Sequence, residues 1–362
     1  MMSKQLCVSV IVPFYNAESH IKKCLDLLLN QDFIKPFEII MVDDASTDNS
    51  QNIIKMQNSP LLKLCSLPSN AGPSAARNIG LKAAKGEYVF FLDVDDTIYT
   101  STLKILYNHA KENNFDLVFS DKKRIENSQN QRENIFVYPA DKTFNNIDIT
   151  EAIKQRISNP LHTHGVIGVH GKLIKRSIIS GNNLSFEEEL RFFEDEVFMF
   201  DILAFTRSMK YVRKQLYTYN INSNRNVKSA RTEAFVRPFP ISYFKFIKSH
   251  AQNSFRQRGL SAKESEKLGD QAFIYWIIFT LVAYSLSIAK GRVDLENGVQ
   301  RRRKIIDDIL ADSDISKAIR NYSCSQEESS WIPRAIAWRS SKLLEFACIR
   351  RAKEILRVRR RD

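Results

Sequence analysis

At 362 residues, with 43% hydrophobic and 26% charged side chains, the chain has room for two or three domains and a full core, and its composition excludes a disordered or fibrous protein. The net charge of +13 is lopsided: from Arg334 onward ten Lys and Arg face only Glu345, Glu354 and Asp362, a net of +7. Such asymmetry suits an acidic partner surface, and with no nucleic-acid recognition motif beside it, anionic lipid is the expected one. Five scattered cysteines without metal-ligand spacing exclude a disulfide framework and predict a reduced, cytoplasmic protein, as does an N-terminus without a signal-peptide apolar core.

Residues 7–12 (CVSVIV) predict a strand closed by Pro13-Phe14-Tyr15-Asn16, with Asn16 placed to cap the next helix. That helix, 17–29, carries Ile21, Leu25, Leu28 and Leu29 on one face. A second buried strand, 37–42 (FEIIMV), ends in Asp43-Asp44, and Asp48 is a candidate cap for the helix beyond. A weaker strand at 61–67 is followed by the turn Asn70-Ala71-Gly72-Pro73-Ser74, with Pro73 suited to a helix start.

The fourth strand, Tyr88-Val89-Phe90-Phe91-Leu92, runs into Asp93-Val94-Asp95-Asp96. Five apolar residues in a row suit a strand buried on both faces of a parallel sheet, and open α/β sheets bind ligands at the strands' C-terminal ends. Three carboxylates in four positions repel unless a cation lies among them, and oxygen-only ligands suit Mg2+ or Mn2+. An Asp-rich turn is the simpler alternative. Four strands alternating with three helices make a nucleotide-binding half of a parallel sheet, and no G-x-G-x-x-G or Walker sequence follows any strand.

Farther on, a helix from Thr100, carrying Leu103, Leu106 and Ala110, and a strand at 116–120 are expected. Residues 122–147 are polar and Asn-rich, the composition of a surface loop or hairpin. A helix resumes at 151–157, 190–205 reads as an apolar helix interrupted by Glu194-Asp195-Glu196, and 210–219 as a basic, Tyr-rich strand. Beyond a boundary near 226 the pattern is helical throughout. Residues 272–289 are uncharged and just long enough to span a bilayer, but their Thr, Tyr and Ser content favours a buried or membrane-facing helix. In the tail, Leu344, Cys348, Arg351, Ile355 and Val358 recur at helical intervals after Trp331 and Trp338. This is the pattern of an interfacial amphipathic helix, or of one docked on the protein with a solvated basic face.

Four stretches in order, VSVIVPFYNAESHIKKCL, EIIMVDDASTDNS, NAGPSAARNIGLKAAKGEYVFFLDVDD and FFEDEVFMFDIL, resemble the inverting glycosyltransferases of family 2, of bacterial surface-polysaccharide type. The resemblance covers roughly residues 6–225. It implies a GT-A fold, a Rossmann-like, mostly parallel sheet flanked by helices, over 1–225 (6–100 the nucleotide-binding half, 101–225 the acceptor half). A mainly helical region, 226–362, follows. It further implies that Pro13, Tyr15 and Asn16 wall the base of a nucleotide sugar, usually UDP, and that Asp43 or Asp44 recognises uridine. Gly72 would let the backbone pass close to the nucleotide, and Arg77 would approach the uracil or pyrophosphate. Asp93 or Asp95 would bind the ribose, and Asp95, with Asp96 as a further candidate, would hold Mn2+ or Mg2+. Glu194-Asp195 would be the acceptor-side pair, Asp195 the base and Glu194 or Glu196 its partner.

The sequence departs from the family where His170 stands ahead of Lys172 in place of a frequent Trp, and His250 is the only late histidine that a metal could take. His162, His164 and His170 lack helical metal spacing and are read as loop residues near the acceptor. The expected function is metal-dependent, inverting transfer of a sugar from a nucleoside diphosphate to a saccharide or lipid-linked acceptor, at the inner face of the cell membrane. The alternative is a catalytically inactive scaffold that keeps the fold.

Overall fold

The computed structural model describes residues 5–126, 130–131, 137–158, 166–190, 192–221, 240–323 and 331–358. Internal packing divides the chain into two units, Met1–Ile153 with His162–Arg225 and Lys154–Leu161 with Asn226–Asp362. The boundary expected near residue 226, like His162 and His164, lies outside the described residues.

Seven consecutive buried residues form β1 (Val8–Phe14), followed by α1 (Glu18–Leu29), β2 (Phe37–Asp43), α2 (Ser50–Lys55), β3 (Leu62–Ser66), α3 (Pro73–Ala83) and β4 (Tyr88–Phe91). All pairings among β1–β4 are parallel. β1 extends past the predicted end to include Pro13, which pairs with Val42 of β2. β4 stops opposite Ile11, so the ring's missing N–H faces a side with no ladder to complete.

The acid-rich turn leads into β5 (Thr97–Ile98) and α4 (Thr102–Glu112); β6 (Leu117–Glu126), β7 (Asn130–Gln131), β8 (Lys142–Phe144) and α5 (Asn146–Ser158) come next. β6 and β7 make the hairpin that the polar 122–147 stretch allowed. Then come β9 (Lys172–Lys175), α6 (Arg176–Gly181), α7 (Glu194–Phe205) and β10 (Met209–Ile221). The sheet runs β3-β2-β1-β4-β9-β6-β10-β5. β9 lies antiparallel between β4 and β6 and joins the two halves of the unit.

Helices cover both faces. Val8, Val10, Val12, Tyr88, Phe90 and Leu92 pack with Ile21 and Leu25 of α1 and Leu103 and Leu106 of α4. On the other face α3 approaches so closely that a Cβ on Gly80 would lie 2.4 Å from Ile11 Cγ2. There Phe91 meets Phe186 and Phe198 edge-on, and those two rings stack with centroids 3.9 Å apart. Glu194-Asp195-Glu196 do not interrupt a helix begun at 190. They form the first turn of α7, where carboxylates match the helix dipole.

The second unit comprises α8 (Ile241–Gln257), α9 (Ala262–Ala289), α10 (Leu295–Ala311), α11 (Ser313–Ala318), α12 (Trp331–Ala337) and α13 (Ser341–Val358). α9 opens with a capping box between Ser261 and Glu264. Among the described residues it is the one helix long and apolar enough to cross a membrane, and 72% of its apolar window is buried. α8, α10, α11 and α13 all pack on it. Its buried Asp270 is paired with Lys248 at 2.6 Å and accepts from Asn321 at 2.7 Å, as a core helix of a helical unit requires.

The tail differs from the lipid-facing expectation. Leu344, Ala347, Cys348 and Ala352 are buried within this unit, and burial pushes the Cys348 thiol up to about 12. Arg302 and Arg303 reach Glu345 at 2.8 and 3.2 Å. The apolar stripe of α13 therefore faces protein, and Trp331, Trp338 and Phe346 are the large apolar side chains it leaves exposed in this segment. Leu344→Ala is expected to destabilise the second unit by about 2–5 kcal/mol in urea unfolding. A loss below about 0.5 kcal/mol, the surface range, would refute the docking.

Candidate active site

The loops after β1 and β2 are latched together. Asn16, at φ 45°, does not cap α1: its backbone N–H donates to Ser46 Oγ at 2.9 Å, and its Oδ1 accepts from the Thr47 N–H at 2.8 Å. Asp48 accepts from the Glu18 and Ser50 N–H groups, both at 3.0 Å, so it ties the start of α1 to that of α2. Tyr15, 47% exposed, projects from this loop, and Pro13 is buried in β1.

Asp43 and Asp44 are committed to the chain itself. Asp43 accepts from the Ser46 N–H at 3.0 Å and from the Gln51 amide. Asp44 accepts from Ala71 at 2.7 Å and from Gly72 at 2.8 Å, and thereby shapes the turn that starts α3. Gly72 has φ +94°, and nothing lies within 4 Å of where its Cβ would be. Glycine is needed there for conformation, and the space beside it is open.

The acid-rich turn is held from three sides. Asp93 pairs with Arg77 Nη2 and His170 Nε2, each at 3.0 Å. Burial alone would raise its carboxyl, but His170 and Arg77 hold it well below the usual carboxylate range. Asp96 is buried and accepts from the Tyr217 hydroxyl and from the Asn220 N–H at 2.8 Å, while Asn220 Nδ2 donates to the Asp95 carbonyl at 2.8 Å. Burial, then Asp93, push Asp96 up to about 8, so it fits a role in joining β10 to the turn. Burial and Asp93 also raise Asp95, which among the described residues makes no ion pair.

Among the described residues no group of three or more His, Cys, Asp or Glu is arranged to hold a metal ion by itself. A cation bridging a diphosphate needs one or two protein carboxylates, since phosphate and water oxygens complete its shell. A crowded, unpaired Asp95 meets that lesser requirement.

Opposite the turn, Phe193 enters α7 at φ 64°, a left-handed conformation unfavourable for a bulky side chain. Glu194 pairs with Arg77 Nη1 at 3.2 Å. Burial and Asp195 push Glu194 up to about 7, with Arg77 opposing. A Cβ on Gly168, at φ +96°, would stand 3.3 Å from Asp195 Oδ2 and 3.8 Å from Lys122 Nζ. Lys172 is fully buried; burial, then Lys122, lower it well below the ordinary lysine value, with Asp195 opposing.

Arg77 is the unexpected link. Expected to approach the uracil or pyrophosphate, it bridges Asp93 and Glu194 in this structure. Its guanidinium lies 5.4 Å from the centre of the Phe186 ring. Asn78 fixes that ring's backbone: its Nδ2 donates to the Phe186 carbonyl at 2.9 Å, and its Oδ1 accepts from the Phe186 N–H at 2.8 Å. Lys122, Gly168, Tyr217 and Asn220 were not picked out from sequence. Tyr217 lay in a strand already noted as Tyr-rich; the other three carried no local signal.

Among solved structures, Staphylococcus aureus TarS 1-349 in complex with UDP-GlcNAc superposes with a TM-score of 0.68 and 22% identity, over 97% of this chain and 92% of that one. The likeness defines the fold class as GT-A, with a mainly helical C-terminal region. Residues 9–179, just under half of the chain, match the model for glycosyl transferase family 2. A Bacillus spizizenii protein named poly(ribitol-phosphate) beta-glucosyltransferase is 33% identical over 216 residues, 59% of this chain and 31% of that protein. The Escherichia coli uncharacterized glycosyltransferase YibD is 26% identical over 347 residues, 94% of this chain and 95% of that one. The chain spans between about a third and just under two thirds of the length of the first curated relatives it matches.

Proposed function

We propose that the chain transfers a sugar, with inversion, from a nucleoside diphosphate, UDP in the first instance, to a hydroxyl of a saccharide or lipid-linked acceptor in surface-glycan synthesis. The observation that carries this reading is the meeting of the acid-rich turn after β4 with the first turn of α7 on one guanidinium, at 3.0 and 3.2 Å. The family-model match over residues 9–179 and the names of the relatives support the acceptor class. Asp95, with the donor's phosphates, would hold Mn2+ or Mg2+, which supplies charge neutralisation for the departing nucleoside diphosphate.

Asp195 accepts the proton of the acceptor hydroxyl as its oxygen attacks the anomeric carbon. The bond from that carbon to the diphosphate oxygen breaks, and the electron pair leaves with the nucleotide. Tyr15 and the open space at Gly72 would receive the base, and Asp93 or Asp95 would meet the ribose. Attachment to the cytoplasmic face of a membrane is proposed on the tail's net +7 and on Trp338 and Phe346, each 62% exposed.

The test is thermal. UDP at a hundredfold excess over Kd should add about 2.7 kcal/mol of stability, a rise of roughly 5–10 °C. The rise should require Mn2+ or Mg2+, and a panel of nucleotide sugars should then reveal one that is hydrolysed. A scaffold would show neither response.

A further inference from the structure

We infer that His170 is a positioning residue of the donor side, which holds Asp93 in place for the ribose hydroxyls of the nucleotide. The inference rests on the transferase reading above and takes Asp93 as the ribose contact. Three observations carry it. Each oxygen of Asp93 has its own nitrogen: Oδ1 lies 3.0 Å from Arg77 Nη2, and Oδ2 lies 3.0 Å from His170 Nε2. Arg77 is shared with Glu194 at 3.2 Å, whereas among the described residues Asp93 is the one carboxylate that His170 pairs with. The imidazole is itself braced, its ring centre 5.9 Å from that of Tyr217, whose hydroxyl fastens Asp96.

The backbone accounts for the placement. His170 forms a lone β-bridge with Phe91, two residues before Asp93, so the imidazole starts beside the strand that delivers the carboxylate. Gly171 follows at φ +69°, and a Cβ there would stand 3.2 Å from Tyr217 Cβ, so the segment lies tight against β10. An ionised carboxylate is a pure acceptor, and it can receive two ribose hydroxyls only while its oxygens keep one direction. Arg77 already serves two carboxylates and is expected to approach the donor as well. His170 is therefore the contact that stays with Asp93 whichever way Arg77 turns. The departure from the family noted at this position puts a ring nitrogen on the donor carboxylate.

The experiment uses the full chain, UDP at saturating Mn2+ for binding, and for turnover the nucleotide sugar that the panel shows the wild type to hydrolyse. His170→Phe keeps a ring and removes the nitrogen. Its UDP affinity should fall about tenfold, the worth of one hydrogen bond to a charged group. Donor KM should rise to match while kcat stays within about threefold, as for a contact made equally in the ground and transition states. The Mn2+ concentration for half-maximal hydrolysis at saturating donor should not move. His170→Gln, which returns an N–H to the place of Nε2, should restore affinity to within about threefold of wild type. Asp93→Asn should itself weaken UDP about tenfold, and adding His170→Phe should cost no more than about twofold further, because both changes act on one contact.

The inference is overturned if His170→Phe binds UDP as the wild type does, if His170→Gln is as weak as His170→Phe, or if the two substitutions multiply fully. It is equally overturned if the Mn2+ requirement rises in step with KM, which would make His170 a cation ligand. An Asp93→Asn variant with unchanged UDP affinity would give the ribose to another residue and overturn it too. Should the phenylalanine variant not fold, His170→Asn, whose shorter amide falls short of Asp93, takes its place beside the glutamine variant. A wild-type chain that binds no UDP overturns the transferase reading, and this inference with it, before any substitution is made.

Discussion

Asp195→Asn is expected to lower sugar transfer by roughly 10²–10⁴-fold, the usual contribution of a general base, while UDP binding stays near normal. Asparagine keeps the shape of the side chain, so its packing beside Gly168 and Lys122 should survive. What is lost is the basic carboxylate that would take the acceptor's proton. Glu194, one residue away, is held by Arg77 at 3.2 Å and cannot turn to replace it. Calorimetry with UDP, run beside a transfer assay, checks both halves of the expectation. Equal losses in the two would mean that Asp195 serves the donor site or the fold.

Asp95→Asn should reduce turnover at limiting Mn2+ by on the order of 10²–10³-fold, comparable to removing a principal charge-stabilising group, with the Tm of the metal-free protein unchanged or raised. The sign of the stability effect follows from crowding. Burial and the neighbouring Asp93 already raise the Asp95 carboxyl, so deleting its charge relieves repulsion. Activity within a few-fold of wild type would remove Asp95 from the metal site. The same substitution at Asp96 should behave differently, because that carboxylate fastens Tyr217 and Asn220, and there the cost should appear as lost stability.

The parallel half of the sheet was legible because its signals are local. Continuous apolar runs, Pro73 at a helix start and carboxylates at strand ends each depend on a few adjacent residues. β9 was not legible: four residues, KLIK, carry no period, and their pairing with β4 crosses more than eighty positions. The site was half legible for the same reason. Residue type marked Asp93, Asp95, Glu194 and Asp195, but not the partners each would choose. Asp44 was marked only as a carboxylate at a strand end, with no sign that it holds two backbone N–H groups nearly thirty residues on. The tail pattern was read correctly as amphipathic, yet an apolar stripe is the same whether lipid or protein covers it.

The fastening of the acid-rich turn by β10 also sets an order of events during synthesis. Asp93 to Asp96 emerge from the ribosome well before the partners that hold them, since His170, Tyr217 and Asn220 come some 75 to 125 positions later. At ~5–20 residues per second the last of them follows after on the order of 10 s. Through the first part of that interval, until residues 172–175 emerge, β4 has β1 beside it but lacks β9, so one edge of an apolar strand stands open. The nascent chain is then most exposed to mispairing, and the acid-rich turn, although encoded in the first hundred residues, is fastened only when the far side of the sheet arrives.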